Sequence, residues 1–147
     1  SGDGGFTMMM GEMLTLKQLN LPVKIFVFNN EELSFIAMEM KASGYLDYAT
    51  DFVNPDFGKL AEAAGIKGVS IQNSSEVDEK IMEALNHNGP VIVNVRVDKQ
   101  ELAMPPKIAY QQAKGFSKYL INAILDGRGT ELKEMAKTNW MKYKSLY

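Results

Sequence analysis

Gly2-Asp3-Gly4-Gly5 opens the chain, and Val23-Lys24-Ile25-Phe26-Val27-Phe28-Asn29-Asn30 follows a short way on. The second stretch is β-branched and aromatic apart from one lysine, the composition of a buried strand. The first is a glycine corner around a single carboxylate. Gly4 and Gly5 let backbone N–H groups approach a phosphate, and a helix starting at Phe6 turns its positive end toward the same place. Asn30 lies twenty-seven positions after Asp3, just past the strand. Parallel α/β sheets bind ligands beyond the carboxyl ends of their strands. Mg2+ takes oxygen ligands and commonly shares them with phosphates. Asp3 supplies an anionic oxygen, Asn30 an amide oxygen, and a backbone carbonyl just after Asn30 can supply a third. The spacing predicts a metal–diphosphate site. Taken singly, the two halves also fit a strand-to-helix turn capped by Asp3 and a surface turn at Asn29-Asn30.

Outward from this pair, apolar spacing marks helices over residues 6–20 and about 32–41. The first carries Phe6, Met9, Met10, Met13, Leu14 and Leu16, with Gly11 read as a close-packing point. The second puts Leu33, Ile36, Ala37 and Met40 on one face and stops at Ser43-Gly44. Residues 45–53 form an aromatic, acidic loop. Asn54-Pro55-Asp56 starts a helix with Phe57, Leu60, Ala61 and Ala64 as its core face and Gly65 as its C-cap. A short strand follows over residues 68–72. Ser75-Glu76-Val77-Asp78 resembles a capping box, and the helix it opens is expected to bury Val77, Ile81 and Leu85. Val91-Ile92-Val93-Asn94-Val95-Arg96-Val97 is the strongest strand. Strands alternating with helices predict an α/β fold, a parallel sheet flanked by helices. A strand leading into Asp3 would belong at the start of such a sheet, and the first strand is expected to lie upstream of Ser1.

After Asp98 the pattern changes. Met104-Pro105-Pro106 reads as a rigid link. Phe116, Tyr119, Leu120, Ala123 and Ile124 give a helical stripe, and Thr130 can cap a last helix with Leu132, Met135, Ala136 and Trp140. The chain thus divides into an α/β part, residues 1–100, and a helical C-terminal extension, residues 101–147. From residue 128 onward five basic residues face two acidic ones, which leaves −5 on the rest of a chain whose total is −2. A basic tail on an acidic body fits either an anionic partner such as lipid or a solvated helix face.

Composition excludes several classes. A net charge of −2 gives no reason to expect nucleic acid. Cysteine is absent, so there is no disulfide framework and no thiolate chemistry. No apolar run reaches the length that spans a bilayer, about 20 residues, and the first residues have no signal-peptide pattern. His87 is the lone histidine and falls near a helix end, a capping or solvent position.

The paired motif, Asp3 with Asn29-Asn30, resembles the signature of thiamine diphosphate enzymes. The likeness runs on through Phe35-Ile36-Ala37-Met38-Glu39-Met40-Lys41, Gly89-Pro90-Val91-Ile92-Val93, Glu101-Leu102-Ala103-Met104-Pro105-Pro106, Gln112-Ala113-Lys114-Gly115-Phe116 and Ala136-Lys137-Thr138-Asn139-Trp140. Within that family it is most similar to the quinone-linked pyruvate oxidases, with acetolactate synthase, a phosphate-dependent pyruvate oxidase or a non-catalytic fragment that binds membrane or partner chains as the alternatives. The resemblance implies the C-terminal cofactor domain of a larger subunit that oxidatively decarboxylates pyruvate to acetate and CO2. It implies thiamine diphosphate, Mg2+ and FAD as cofactors, a quinone as electron acceptor, and a homotetramer or dimer of dimers. Asp3, Asn30 and the carbonyl of Glu32 match the metal ligands. Gly4, Gly5 and the wall Asn30, Glu31, Glu32, Leu33, Ser34, Phe35 and Ile36 match cofactor contacts, with Phe35 as an active-site aromatic. Tyr119, Leu132, Lys133, Met135, Lys137 and Trp140 match a regulated lipid-binding segment, placing the protein in the cytoplasm at the inner face of the membrane. The activating glutamate and the FAD domain belong to other parts of such enzymes, so the isolated chain is expected to be inert.

Overall fold

The computed structural model describes residues 1–99 and 110–145, with side chains as far as Trp140. The Met104-Pro105-Pro106 link, the Glu101-to-Pro106 block, the lysine side chains at 142 and 144, and the last two residues lie outside what is described. The chain forms two compact units. One comprises Ser1–Glu32 and Phe52–Val97. The other comprises Leu33–Asp51 and Asp98–Tyr147, so a segment from the first third of the chain folds with the C-terminal helices.

The first unit is built on a parallel sheet in the order β1 (Lys24–Asn29), β3 (Val91–Arg96), β2 (Lys67–Ile71). Register pairs Val27 with Asn94 and Val69 with Val93. Alternation along the strands then sorts the core into two layers. Val27 and Ile92 pack with Phe6, Met13, Phe57, Ala61 and Ile66 on one face. Val69, Ile71, Val91 and Val93 pack with Ala84 on the other. Both faces are covered, which is why these strands read as nearly continuous apolar runs. Ser1 and Gly2 lie along the remaining edge of β1, with Gly2 in a parallel bridge to Phe28 and the Phe28 N–H donating to the Ser1 carbonyl at 2.9 Å.

Several helices differ from their sequence expectations. The first begins at Asp3, not Phe6, and is broken into α1 (Asp3–Met8), a 3-10 turn (Met10–Glu12) and α2 (Met13–Leu19). The break falls at Met9, whose backbone (φ −121°, ψ 15°) leaves helical space. Gly11 sits in that turn with nothing within 4 Å of where a Cβ would stand, so it is not a close-packing point. The close-packing glycines are Gly58 and Gly68, where α4 (Phe57–Ala63) lies against β2. A Cβ on Gly68 would sit 1.9 Å from the Gly58 carbonyl oxygen. Asp56 caps α4, accepting from the N–H groups of Gly58 and Lys59 and from the Ser70 hydroxyl. Gly65 closes the segment at φ +73°, the left-handed cap expected of it.

At α5 (Val77–Asn86) no Ser75–Asp78 capping box forms. A 3-10 turn over Ser74–Glu76 precedes the helix, and the Glu76 carboxylate instead accepts from the Gln72 N–H, Lys80 and Asn73. These partners, the Gln72 N–H foremost, hold its carboxyl down to about 2. The helix buries Ala84, with Val77 and Ile81 beside it, and leaves Leu85 and Met82 exposed. Its periodicity was legible but its phase is set by the sheet it meets.

The second unit contains α3 (Ser34–Ala42), α6 (Tyr110–Leu125) and α7 (Gly129–Ser145). α7 starts at Gly129, so Thr130 is inside its first turn rather than capping it. Gly115 of α6 lies so close to α3 that a Cβ there would meet the Ala42 carbonyl oxygen at 1.9 Å. Tyr119, Ala123 and Met135 form the buried cluster. Beside it lies a charge cluster that the sequence did not announce. The Lys41 ammonium is buried and meets Glu131 at 3.3 Å and Asp47 at 3.9 Å, and Arg128 meets Asp47 at 2.9 Å. Burial first, and then the charges of Glu131 and Asp47, raise the Tyr119 phenol above its ordinary value. Ile36 and Ile124, expected on core faces, are exposed, because Lys41 and Tyr119 occupy the interior positions.

Two outcomes check this account. Gly68→Ala should lower the unfolding free energy by about 1–3 kcal/mol or more, since both colliding groups are backbone, whereas Gly11→Ala should change it by less than about 1 kcal/mol; urea titrations compare them. The Glu76 carboxyl should titrate near 2 by NMR. Its contribution is complete above the ordinary carboxylate value of 4.5 and is lost as pH falls toward 2, the sign for a depressed acid.

Candidate functional site

The two halves of the Asp3/Asn30 motif meet in the first unit. Asp3 is only 2% exposed although it is ionisable. A buried carboxylate needs donors, and three are present. Oδ1 accepts from the Gly4 N–H at 2.8 Å. Oδ2 accepts from the Glu31 N–H at 2.8 Å and from Asn54 Nδ2 at 2.8 Å. The Glu31 bond is the decisive one, since it ties the carboxylate to the residue directly after Asn30. Glu31 itself has φ +59°, a left-handed conformation that non-glycine residues seldom adopt. It closes the turn at the end of β1, and its carbonyl accepts from the Phe52 N–H at 2.8 Å. The Glu31 side chain is held in turn by Arg96 at the end of β3, at 2.8 Å. The Asn30 amide oxygen accepts from the Glu32 N–H at 3.2 Å, which folds the next residue over as an Asx turn. Glu32 is buried.

An ionised carboxylate has about four acceptor directions, and three are taken by neutral donors. One acceptor direction, on Oδ1, is left over, and the Asn30 amide oxygen belongs to the turn that carries the Glu31 N–H. Carboxylate and amide oxygens are the donors that suit a small divalent cation. Among the described residues no cluster of three or more His, Cys, Asp or Glu side chains could hold a metal, so a metal here would need amide and backbone oxygens beside the single carboxylate. The Gly4 N–H, assigned to phosphate from sequence, donates to Asp3 here, and Gly5 is exposed in the first turn of α1. Asn54 and Asn94 were not singled out, and Asn29 was read only as the companion of Asn30 in the paired motif. The signals for the other two were an asparagine ahead of Pro55, read only as part of a helix start, and an asparagine interrupting the apolar strand β3.

Residues 1–95 match the family described as thiamine pyrophosphate enzyme, C-terminal TPP binding domain. The chain belongs to that family. Asp3, Asn30 and the turn between Asn30 and Glu32 all lie inside the matched span. YdaP of Bacillus subtilis, described provisionally as a thiamine pyrophosphate-containing protein, is 36% identical over 93% of this chain and 24% of its own length. The acetolactate synthase catalytic subunit of Saccharomyces cerevisiae is 38% identical over 71% of this chain and 15% of its own length. The acetolactate synthase large subunit of Pyropia yezoensis is 35% identical over 71% of this chain and 18% of its own length. The chain therefore spans a quarter or less of the curated relatives it matches.

The rest of the expected wall, Leu33, Ser34, Phe35 and Ile36, belongs to the helical unit. Ser34 opens α3, and Phe35 in its first turn is 73% exposed. Of the six residues expected to meet lipid, Tyr119 and Met135 are buried in that unit's own core and Leu132 packs against them. They are not lipid-facing in this packing, because the same apolar stripe that could meet a bilayer closes the helical cluster. Lys133, Lys137 and Trp140 are exposed, and the apolar side chains standing outward on α6 are Ile121, Ile124 and Leu125.

Asp3→Ala removes the shared acceptor of the Glu31 N–H and the Asn54 amide. In this thiamine pyrophosphate-binding chain without added ligand it should cost about 1–3 kcal/mol of stability, read by thermal or urea unfolding. A gain in stability would identify the carboxylate as strained rather than as the clamp of the turn.

Proposed function

We propose that this chain is the cofactor-binding part of a protein that oxidatively decarboxylates pyruvate to acetate and CO2, using thiamine diphosphate, Mg2+ and FAD and passing electrons to a membrane quinone. What supports the choice is the sequence resemblance of the C-terminal blocks. The match to YdaP, whose name specifies only thiamine pyrophosphate, covers 93% of the chain and reaches the C-terminal helices, whereas the acetolactate synthases match 71%. The sequence blocks that resemble quinone-linked pyruvate oxidases include Gln112-Ala113-Lys114-Gly115-Phe116 and Ala136-Lys137-Thr138-Asn139-Trp140.

In this reading Asp3 Oδ1, which accepts only from the Gly4 N–H, would hold Mg2+ together with the Asn30 amide oxygen and the Glu32 carbonyl, and the ion would neutralise the diphosphate. When bound, thiamine diphosphate supplies the electron sink that lets a 2-oxo acid lose CO2. By the family resemblance Leu33, Ser34, Phe35 and Ile36 would contact the cofactor. Lys133, Lys137 and Trp140, with Ile121, Ile124 and Leu125, make the segment that meets lipid at the inner face of the cell membrane, basic groups beside apolar ones as interfacial binding requires. Among the described residues no helix is long and apolar enough to cross a membrane, so contact would be peripheral. The intact protein would work as a homo-oligomer.

A second reading is acetolactate synthase, favoured by the names of most relatives described here. Product analysis separates them. Incubating the intact protein with pyruvate, the cofactors and a quinone analogue should yield acetate with matching quinone reduction; 2-acetolactate without reduction would replace the first reading by the second. The isolated chain should reduce no dye under the same conditions.

A further inference from the structure

Behind Asp3 runs a chain of three side-chain amides. Asn54 Nδ2 donates to Asp3 Oδ2 at 2.8 Å and also to Asn29 Oδ1 at 3.1 Å. Asn29 Nδ2 donates to Asn94 Oδ1 at 3.0 Å. Asn29 and Asn94 are 3% and 2% exposed. They share a face of the sheet because Val27 is the register partner of Asn94, and Asn29 is two residues on. Asn94 sits in the central strand, the most constrained place in the sheet, so the chain of amides is anchored at its inner end.

The direction of every bond follows from the charge at the outer end. An ionised carboxylate only accepts. Asn54 must therefore turn its NH2 toward Asp3, and that nitrogen's second hydrogen goes to Asn29. Asn29 must present its oxygen there, which leaves its NH2 for Asn94. All three amide orientations are thus determined by the Asp3 anion, where they would otherwise be ambiguous.

We propose that Asn54, backed by Asn29 and Asn94, is a positioning residue that orients the Asp3 carboxylate toward the metal ion of the diphosphate site. The inference rests on reading Asp3 as the metal-binding carboxylate. Neutral amides suit this task for a physical reason. A lysine or arginine at position 54 could make the same hydrogen bond, but it would cancel the charge and compete with the cation. A second carboxylate would repel Asp3 or share its proton. An amide orients the anion and leaves its charge for the metal. The nearby cation, Arg96, makes its hydrogen bond to Glu31 at 2.8 Å and feels the Asp3 charge only at longer range.

The test compares Asp3→Asn, Asn54→Ala and Asn54→Asp in the intact protein, with thiamine diphosphate binding in the presence of Mg2+ followed by calorimetry. Asp3→Asn should abolish detectable binding. Asn54→Ala should weaken it about 10–100-fold, raising the cofactor KM while kcat at saturation stays within about twofold. Asn54→Asp, of about the same size but without the amide donor, should weaken binding at least as much as Asn54→Ala. Loss of binding in Asp3→Asn with unchanged affinity in both position-54 variants would overturn the positioning role alone. Unchanged binding in Asp3→Asn would overturn the site reading on which it rests. Far-UV circular dichroism of each variant guards against simple unfolding.

Discussion

The hydrogen bond from the Glu31 N–H to Asp3 Oδ2, 2.8 Å long, is the contact on which this site depends. It joins residues 28 apart in sequence, alongside the Gly2–Phe28 bridge and the Phe28 N–H bond to the Ser1 carbonyl that hold the glycine corner to the end of β1. Glu31 itself stands in a left-handed conformation, a cost of order 1–2 kcal/mol for a residue with a Cβ. Its side chain is bonded to Arg96, its N–H to the buried carboxylate and its carbonyl to the Phe52 N–H. Backbone strain of this sort clusters at functional sites, and here it coincides with the residues that the family resemblance assigns to the metal.

The sheet supplies the fixed frame for that contact. Its central strand, β3, pairs on both sides and carries Val91, Ile92 and Val93 with no exposed surface. Gly58 and Gly68 bring α4 against β2 at backbone-to-backbone distance, and Asp56, just ahead of α4, is bonded to the helix start and to Ser70 at once. Asn54 lies two residues before Asp56, so its amide is delivered to Asp3 by a segment pinned at its far end. A helix cap that looks purely local in sequence thereby contributes to the placement of a site residue.

How much of this was legible in the chain follows from what each signal encodes. Strand composition located β1, β2 and β3 to within about a residue at each end, because burial on both faces leaves an unbroken apolar run. Helical spacing found the helices but not always their faces. In α5 Ala84 is inside and Leu85 outside, and in α6 Ile124 is outside; period is a property of the sequence, while phase is decided by the partner surface. Gly11 and Gly68 look alike on the page, and only the neighbour of each tells an idle glycine from an essential one. The Asp3/Asn30 pair was readable because its chemistry needs both residue types at one strand-to-helix spacing. Asn54, Asn29 and Asn94 were not, since their meaning is a long-range hydrogen-bond path. Lys41 escaped for the same reason: a lysine in a helix reads as solvent-facing until its carboxylate partners arrive from the Asp47 loop and α7.

The two buried polar clusters show what separates a structural network from a functional one. In the helical unit, Lys41 and Arg128 oppose Asp47 and Glu131, two charges of each sign. Each charge there is compensated, the condition under which burial of ions is tolerated. Around Asp3 the partners are two backbone N–H groups and an amide. None of these carries a charge, and the cation that acts on Asp3, Arg96, does so at longer range while its hydrogen bond goes to Glu31. Burying an anion with neutral direct donors is the costlier choice for stability, and a lysine at position 54 would lower that cost. A carboxylate whose direct partners are dipoles keeps more of its charge for a cation that arrives from outside, and in that balance of direct partners, more than in burial, the cluster at Asp3 differs from the one at Lys41.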